Sequence, residues 1–129
     1  MFSHVMLGAN DLDASRSFYN ATLAVLGYDE AVTDPKGRLF WINRSGVFAV
    51  TKPLDGEPAT HGNGSTLGFA ARSQQEVDDW HKAGLENGGT DCEDPPGVRE
   101  GSTGDLYLAY LRDPSGNKIC ALYRIPAEK

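Results

Sequence analysis

Two residue types in this chain could carry chemistry: histidine at positions 4, 61 and 81, and cysteine at positions 92 and 120. His4 opens an alternating run, and Cys120 lies in an apolar run that follows the turn "DPSGNK". A Cys120 thiolate could hold a soft divalent ion such as zinc, but a stable site ordinarily needs two or more further good ligands. A nucleophilic Cys120 would need a cation or a helix N-terminus beside it, and the sequence shows neither. Its simplest reading is a small buried apolar residue. His4 reads equally well as a strand histidine bonded to a neighbour. His61 falls in a Gly-rich linker, where a solvated role is expected even if the loop can reach a cleft mouth. His81 falls by periodicity on the exposed middle of a helix and is given no role. Arg99, in "PPGVREG", is a loop cation able to meet an anionic ligand group or to form a surface ion pair.

The elements that must position these residues emerge when the chain is laid against itself. A shift of 62 places residues 4 to 27 over 66 to 89, so that Val5 meets Leu67, Leu7 meets Phe69, Phe18 meets Trp80 and Gly27 meets Gly89. A shift of 70, plus one added residue at Asn117, lays "FWINRSG" over "YLRDPSG" and "VFAV" over "KICA". The chain therefore reads as a duplicated unit, about 3–52 and 65–125, joined by a Pro/Gly-rich linker at 53–64. Each unit reads as strand, helix and three strands.

In the first unit the strands are expected near 4–9, 29–33, 38–43 and 47–52. The helix between the first two is capped at Asn10 or Asp11, carries Ala14, Phe18, Ala21 and Val25 on one stripe, and stops at Gly27. In the second unit a strand containing Thr66 leads to a helix opened by the capping box Ser73-Gln74-Gln75-Glu76. That helix is expected to bury Val77, Trp80 and Gly84 or Leu85 and to end at Gly88-Gly89. Its strands follow near 90–93, 105–112 and 117–125. The aromatics Phe40, Trp41, Phe48, Tyr107, Tyr110 and Tyr123 all fall on predicted strands, which makes most of them core or dimer packing.

Composition narrows the function classes. At 129 residues, 40% hydrophobic and 23% charged, the chain suits one soluble globular domain. The net charge of −6, with no Lys/Arg cluster, speaks against nucleic acid as a partner. No apolar run of about 18 residues could span a bilayer, so no membrane association is expected. The start lacks a basic segment followed by an apolar one, so a cytoplasmic location is expected. Cys92 and Cys120 are expected to be free thiols.

The duplicated βαβββ unit, a histidine at the start of the first strand and "RDPSGNKI" opening the last strand resemble the vicinal oxygen chelate superfamily. That group holds the glyoxalases, bleomycin-resistance proteins and extradiol dioxygenases, and the likeness runs from Ser3 to about Arg124. "GNGSTLGFAARSQQEVDDWHKAGLENGG" and "PPGVREG" resemble its bacterial glyoxalase-like branch. The resemblance implies an α+β fold in which the two modules form a curved, partly closed mixed sheet around a cleft. It also implies that members pair as homodimers.

Metal-using members of that superfamily place ligands on the first and last strand of each unit, and the corresponding positions here are His4, Ala49, Thr66 and Cys120. Only His4 is a strong ligand: Ala49 offers no donor atom, Thr66 a neutral hydroxyl, and neither Ala49 nor Cys120 the carboxylate that glyoxalase chemistry uses as a base. By strand alternation Met6, Val47, Thr51, Gly68 and Leu122 share the cleft face with these four. That face is small, apolar and neutral, which suits a planar or hydrophobic ligand better than a dication. The expectation is a binding protein that takes a small-molecule ligand without a standard metal site and without a cofactor. The alternative is a lyase or dioxygenase using a divalent ion at His4, with Cys120 as a second ligand.

Overall fold

The structure is a computed structural model that describes residues 1–127. Among these, two helices and two mixed sheets give an α+β fold whose sheets do not close into a barrel. The first unit runs β1 (His4–Gly8), α1 (Leu12–Val25), β2 (Val32–Thr33), β3 (Leu39–Asn43) and β4 (Gly46–Thr51). The second runs β5 (Leu67–Ala70), α2 (Gln74–Glu86), β6 (Thr90–Asp91), β7 (Gly97–Gly101), β8 (Gly104–Arg112) and β9 (Lys118–Arg124). Sheet A has the order β1-β4-β3-β2 with β1 parallel to β4; sheet B has the order β5-β9-β8-β6 with β5 parallel to β9. The parallel pairs exist because each helix carries the chain from the first strand back to the start of its sheet.

Four expectations are corrected. The strand expected at 29–33 shrinks to Val32–Thr33, because the Ala31 amide is drawn to Asn20 Oδ1 on α1 (2.9 Å) instead of a ladder. The strand expected at 90–93 ends at Asp91. "PPGVREG", read as a loop, contains β7, which pairs with β8 across the turn Gly101–Gly104. Thr66 stands one residue before β5 and is exposed.

The helix caps follow the sequence closely. Asp11 Oδ1 accepts from Ala14 N (3.0 Å) and Ser73 Oγ from Glu76 N (3.1 Å), each satisfying one orphan donor of a first turn. Glu76 does not close a capping box onto Ser73: its carboxylate takes the Arg72 amide (2.8 Å) and the Arg72 guanidinium instead. The apolar stripe of α1 is rotated from the expected one, with Ser15, Phe18, Tyr19, Thr22 and Leu23 buried and Ala14, Ala21 and Val25 only half-buried. The reason is tertiary, since α1 must face α2 as well as its own sheet.

The two helices meet where α2 is thinnest. A Cβ at Gly84 would lie 2.2 Å from Leu111 Cδ1 on β8 and 3.2 Å from Phe18 Cε2 on α1, so any larger residue would force the buried Leu111 side chain to shift. Leu85, the other candidate for this contact, is 41% exposed. Tyr19 centres the core, its ring 4.8 Å from Phe18 and from Phe48 and 5.6 Å from Trp41. Phe48 of sheet A meets Phe69 of sheet B edge-on at 5.1 Å, an arrangement favoured by the ring quadrupoles. The core is thus shared between the units.

The "DPSGN" turn between β8 and β9 is a joint. Asp113, 3% exposed, accepts from the Ser115 and Asn117 amides (both 2.9 Å), from Asn117 Nδ2 (2.9 Å) and from the Tyr19 hydroxyl (2.6 Å). Asn117 Nδ2 also donates to Gly8 O (2.8 Å), and Ser115 Oγ accepts from Asn10 N (3.0 Å). One turn of the second unit therefore ties down both α1 and the end of β1. The linker is fastened nearby, where Ala59 N donates to Asn10 Oδ1 (2.7 Å).

Candidate functional site

The register defines two open sheet faces. In sheet A, His4 pairs with Val47, Met6 with Ala49, and Ala49 and Val47 with Phe40 and Ile42, so all six share the face turned away from Trp41, Phe48 and Val50. In sheet B, Gly68 pairs with Cys120 and Cys120 with Tyr110, and Ala70, Leu122 and Leu108 form the next row. Exposure follows: Met6 is 39% and Ile42 60% exposed, whereas Ala49, flanked in register by Met6 and Phe40, is fully buried.

A cavity of about 400 Å³ lies between β1 and β5, the outermost strands of the two sheets. It is lined by His4, Val5, Val47 and Phe48 from sheet A, by Thr66, Leu67, Gly68 and Phe69 from the second unit, and by Leu23 and Tyr28 at the end of α1. Ser3, Ser45 and Gly46 complete its rim with Phe2. Of the residues singled out in the sequence, His4, Val47, Thr66 and Gly68 come together here. Ala49, Cys120, Met6, Leu122 and Arg99 do not line the cavity, and neither does His61, which lies against the turn at Gly116. Phe48, Phe69, Leu23 and Tyr28 were not anticipated as site residues. Leu23 and Phe69 belong to the buried core, and they reach the cavity because they border the gap between the sheets.

His4 is exposed, and its Nδ1 shares a 2.8 Å hydrogen bond with Ser3 Oγ. Cys120 has another task. A Cβ at Gly68 would stand 3.1 Å from Cys120 Sγ, so the thiol occupies the space that glycine leaves on the neighbouring strand. The pair Met6–Ala49 in sheet A occupies the same repeat positions as Gly68–Cys120 in sheet B, with large and small exchanged. Burial pushes the Cys120 thiol from its ordinary 9.0 up to about 11, with the Lys118 ammonium opposing and the Glu93 carboxylate adding to the rise. At neutral pH it is a protonated thiol, a poor metal ligand and a poor nucleophile.

The donor set implied for a divalent ion therefore does not fit within one chain. Ala49 is buried and without a donor atom, Cys120 is protonated, and the described residues contain no group of three His, Cys, Asp or Glu side chains able to hold a metal ion. Cys92 and Cys120 are both free. His81, expected to be exposed, has a side chain only 13% exposed and bonds Asp91 Oδ1 (2.8 Å), which fastens α2 to β6. No helix among the described residues is long and apolar enough to cross a membrane.

Comparison with known proteins agrees with this architecture. A crystal structure of a glyoxalase/bleomycin resistance protein from Albidiferax ferrireducens T118 is 58% identical, covers 95% of this chain and 98% of its own, and superposes with a TM-score of 0.93. Two more distant structures share the fold. A lactoylglutathione lyase from Agrobacterium tumefaciens has 24% identity, 95% and 92% coverage and a TM-score of 0.65. A glyoxalase-related enzyme from Fulvimarina pelagi has 20% identity, 96% and 88% coverage and a TM-score of 0.72. A comparison with curated proteins gives no significant match. The sequence model of the Glyoxalase/Bleomycin resistance protein/Dioxygenase superfamily matches residues 1–121, and the chain belongs to that superfamily.

Proposed function

We propose that this protein binds a small hydrophobic or planar molecule between β1 and β5 without a standard metal site. The observation that carries this reading is the cavity itself, about 400 Å³ and walled by Leu23, Val47, Phe48, Leu67 and Phe69, with His4 and Thr66 as polar groups at its edge. Pockets of this size with apolar walls and a few polar groups suit small organic ligands. The donor set supports binding over metal-assisted lyase or dioxygenase chemistry, because only His4 of the four implied positions is a strong ligand. The resemblance to paired relatives supports a homodimer, and the exposed apolar side chains of Met6, Val32 and Ile42 on sheet A offer a face for it.

A neutral fluorescent probe, N-phenyl-1-naphthylamine, tests the reading. Saturable binding near one probe per chain, abolished by Thr66→Trp at the exposed rim, is expected. Metal titration decides against the alternative: a stoichiometric ion lost in His4→Ala would overturn the metal-free reading.

A further inference from the structure

The two units differ in charge on their open faces. The face of sheet A that carries His4 holds no Lys, Arg, Asp or Glu on its strands. The equivalent face of sheet B carries Arg99 on β7, Arg112 on β8, and Lys118 and Arg124 on β9, with no acidic residue on any strand position of that face. In a chain of net charge −6, this concentration of cations is not what composition dictates.

Two of these cations, Arg99 and Lys118, meet on one segment. The pairing along the edge of β8 is interrupted at Ala109 and Tyr110, because β6 pairs only with residues 111 and 112 and β7 only with 104 to 108. The segment from Cys92 to Pro96 crosses this gap. Two cations clasp it: Arg99 Nη2 donates to Pro95 O (2.9 Å) and Asp94 O (3.3 Å), and the Lys118 ammonium pairs with the Glu93 carboxylate. Lys118 Nζ also stands 5.0 Å from the centre of the Tyr110 ring. Tyr110 itself is half-buried, and its hydroxyl has no hydrogen-bond partner among the described residues. Arg99 and Arg112 have no carboxylate partner among those residues.

Glu93 is the internal anion of this arrangement. It is the sole non-glycine residue with positive φ (59°) among the described residues. A glutamate in the left-handed region is held there against its own preference. Its pairing with Lys118 satisfies an ammonium that the sheet presents, and an external oxyanion would satisfy it equally while adding hydrogen bonds from the Tyr110 hydroxyl and the free donors of Arg99.

We propose that Lys118, Tyr110 and Arg99 form an oxyanion-binding subsite on the open face of sheet B, with Glu93 as its built-in competitor, for a ligand bearing a carboxylate or phosphate group. The apolar row of Leu108 and Leu122 beside it receives the body of such a ligand. Lys118 lies on β9 beside β5, Tyr110 two strands and Arg99 three strands from Gly68, and none of the three lines the β1–β5 cavity, so the subsite is tested separately from the neutral-ligand reading.

Calorimetric titration of the full chain with benzoate, inorganic phosphate and neutral benzyl alcohol, at constant ionic strength, tests it. Binding of at least one anion is expected, about tenfold weaker in Lys118→Met, restored in Lys118→Arg, and several-fold tighter in Glu93→Gln, where the competitor has lost its charge. Benzoate alone would identify the subsite as a carboxylate reader, and both anions a general oxyanion site. Absence of binding by either anion in the wild type and in Glu93→Gln would overturn the proposal. So would benzyl alcohol binding as tightly as benzoate, or affinities unchanged in both charge variants. If Lys118→Met fails to fold, Glu93→Gln decides alone. N-phenyl-1-naphthylamine binding should be unchanged in Glu93→Gln, which separates this subsite from the cavity.

Discussion

The Tyr19 hydroxyl donates to Asp113 Oδ2 at 2.6 Å across the boundary between the two repeats, between positions 94 apart in the chain. Both groups are buried, and among the described residues no cation neutralises the carboxylate: its charge is held by two backbone amides, one side-chain amide and this phenol. Tyr19→Phe should therefore cost about 1.5–3 kcal/mol, the range for hydrogen bonds to charged groups. Asp113→Ala should cost more, because it leaves several buried donors unpaired. Urea unfolding at pH 7 measures both.

The same bond predicts an alkaline limit. Burial first, and then the Asp113 charge and its hydrogen bond, raise the Tyr19 phenol well above its ordinary 10.0. A raised pKa means the folded state keeps the proton that the unfolded state loses, so this contribution is whole below pH 10 and declines as pH climbs beyond it. Unfolding midpoints followed from pH 9 to 11.5 should fall less steeply in Tyr19→Phe than in the wild type.

Gly84 is predicted to be intolerant of the mildest change. Alanine favours an isolated helix by about 1 kcal/mol over glycine, but here its methyl would strike Leu111 at 2.2 Å. Overpacking of this kind costs about 1–3 kcal/mol, so Gly84→Ala should lower the melting temperature despite its better propensity. A higher melting temperature would show that the helices slide apart without loss.

The two thiols should differ in reactivity. Cys92 is half-buried and Cys120 buried, and the Cys120 thiol is held up to about 11 chiefly by desolvation. Iodoacetamide at pH 8 should modify Cys92 in the folded protein and Cys120 only after denaturation, read by peptide mass. The buried thiol contributes stability that is whole below pH 9 and lost as pH rises towards 11, so Cys120→Ser should flatten the pH dependence in that window.

Acid sensitivity is expected at the start of α2. The Arg72 hydrogen bond and charge hold the Glu76 carboxyl below its ordinary 4.5, so its contribution is present above pH 4.5 and is lost as pH falls through the lower folded value. Arg72 is 70% exposed on its side chain, and solvent screening keeps the pair modest. Glu76→Gln should unfold at similar urea at pH 3 and slightly earlier at pH 7, with Ser73→Ala costing a further ~1 kcal/mol at both.

Much of this protein is determined locally. Asp11 and Ser73 cap their helices because a short polar side chain before an amphipathic run can accept an orphan amide, wherever the helix later packs. Gly27 adopts φ 94° for the same local reason. The shared pattern of residues 4–27 and 66–89 likewise specified two copies of one unit and with them the fold. Tertiary structure decided everything that depends on two distant surfaces meeting. Which stripe of α1 is buried depends on α2 and Asp113, and Leu85 yields to Gly84 because helix approach is set by the smallest residue at the crossing. The cavity arises between two sheet edges, so it draws on the core residues Leu23 and Phe69, to which the local pattern assigned no site role. Cys120 shows the division best. Alternation put it on the open face of its strand, but only the register with Gly68 shows that its sulfur fills a neighbour's missing side chain, since a contact between strands 52 residues apart has no signature in either strand alone.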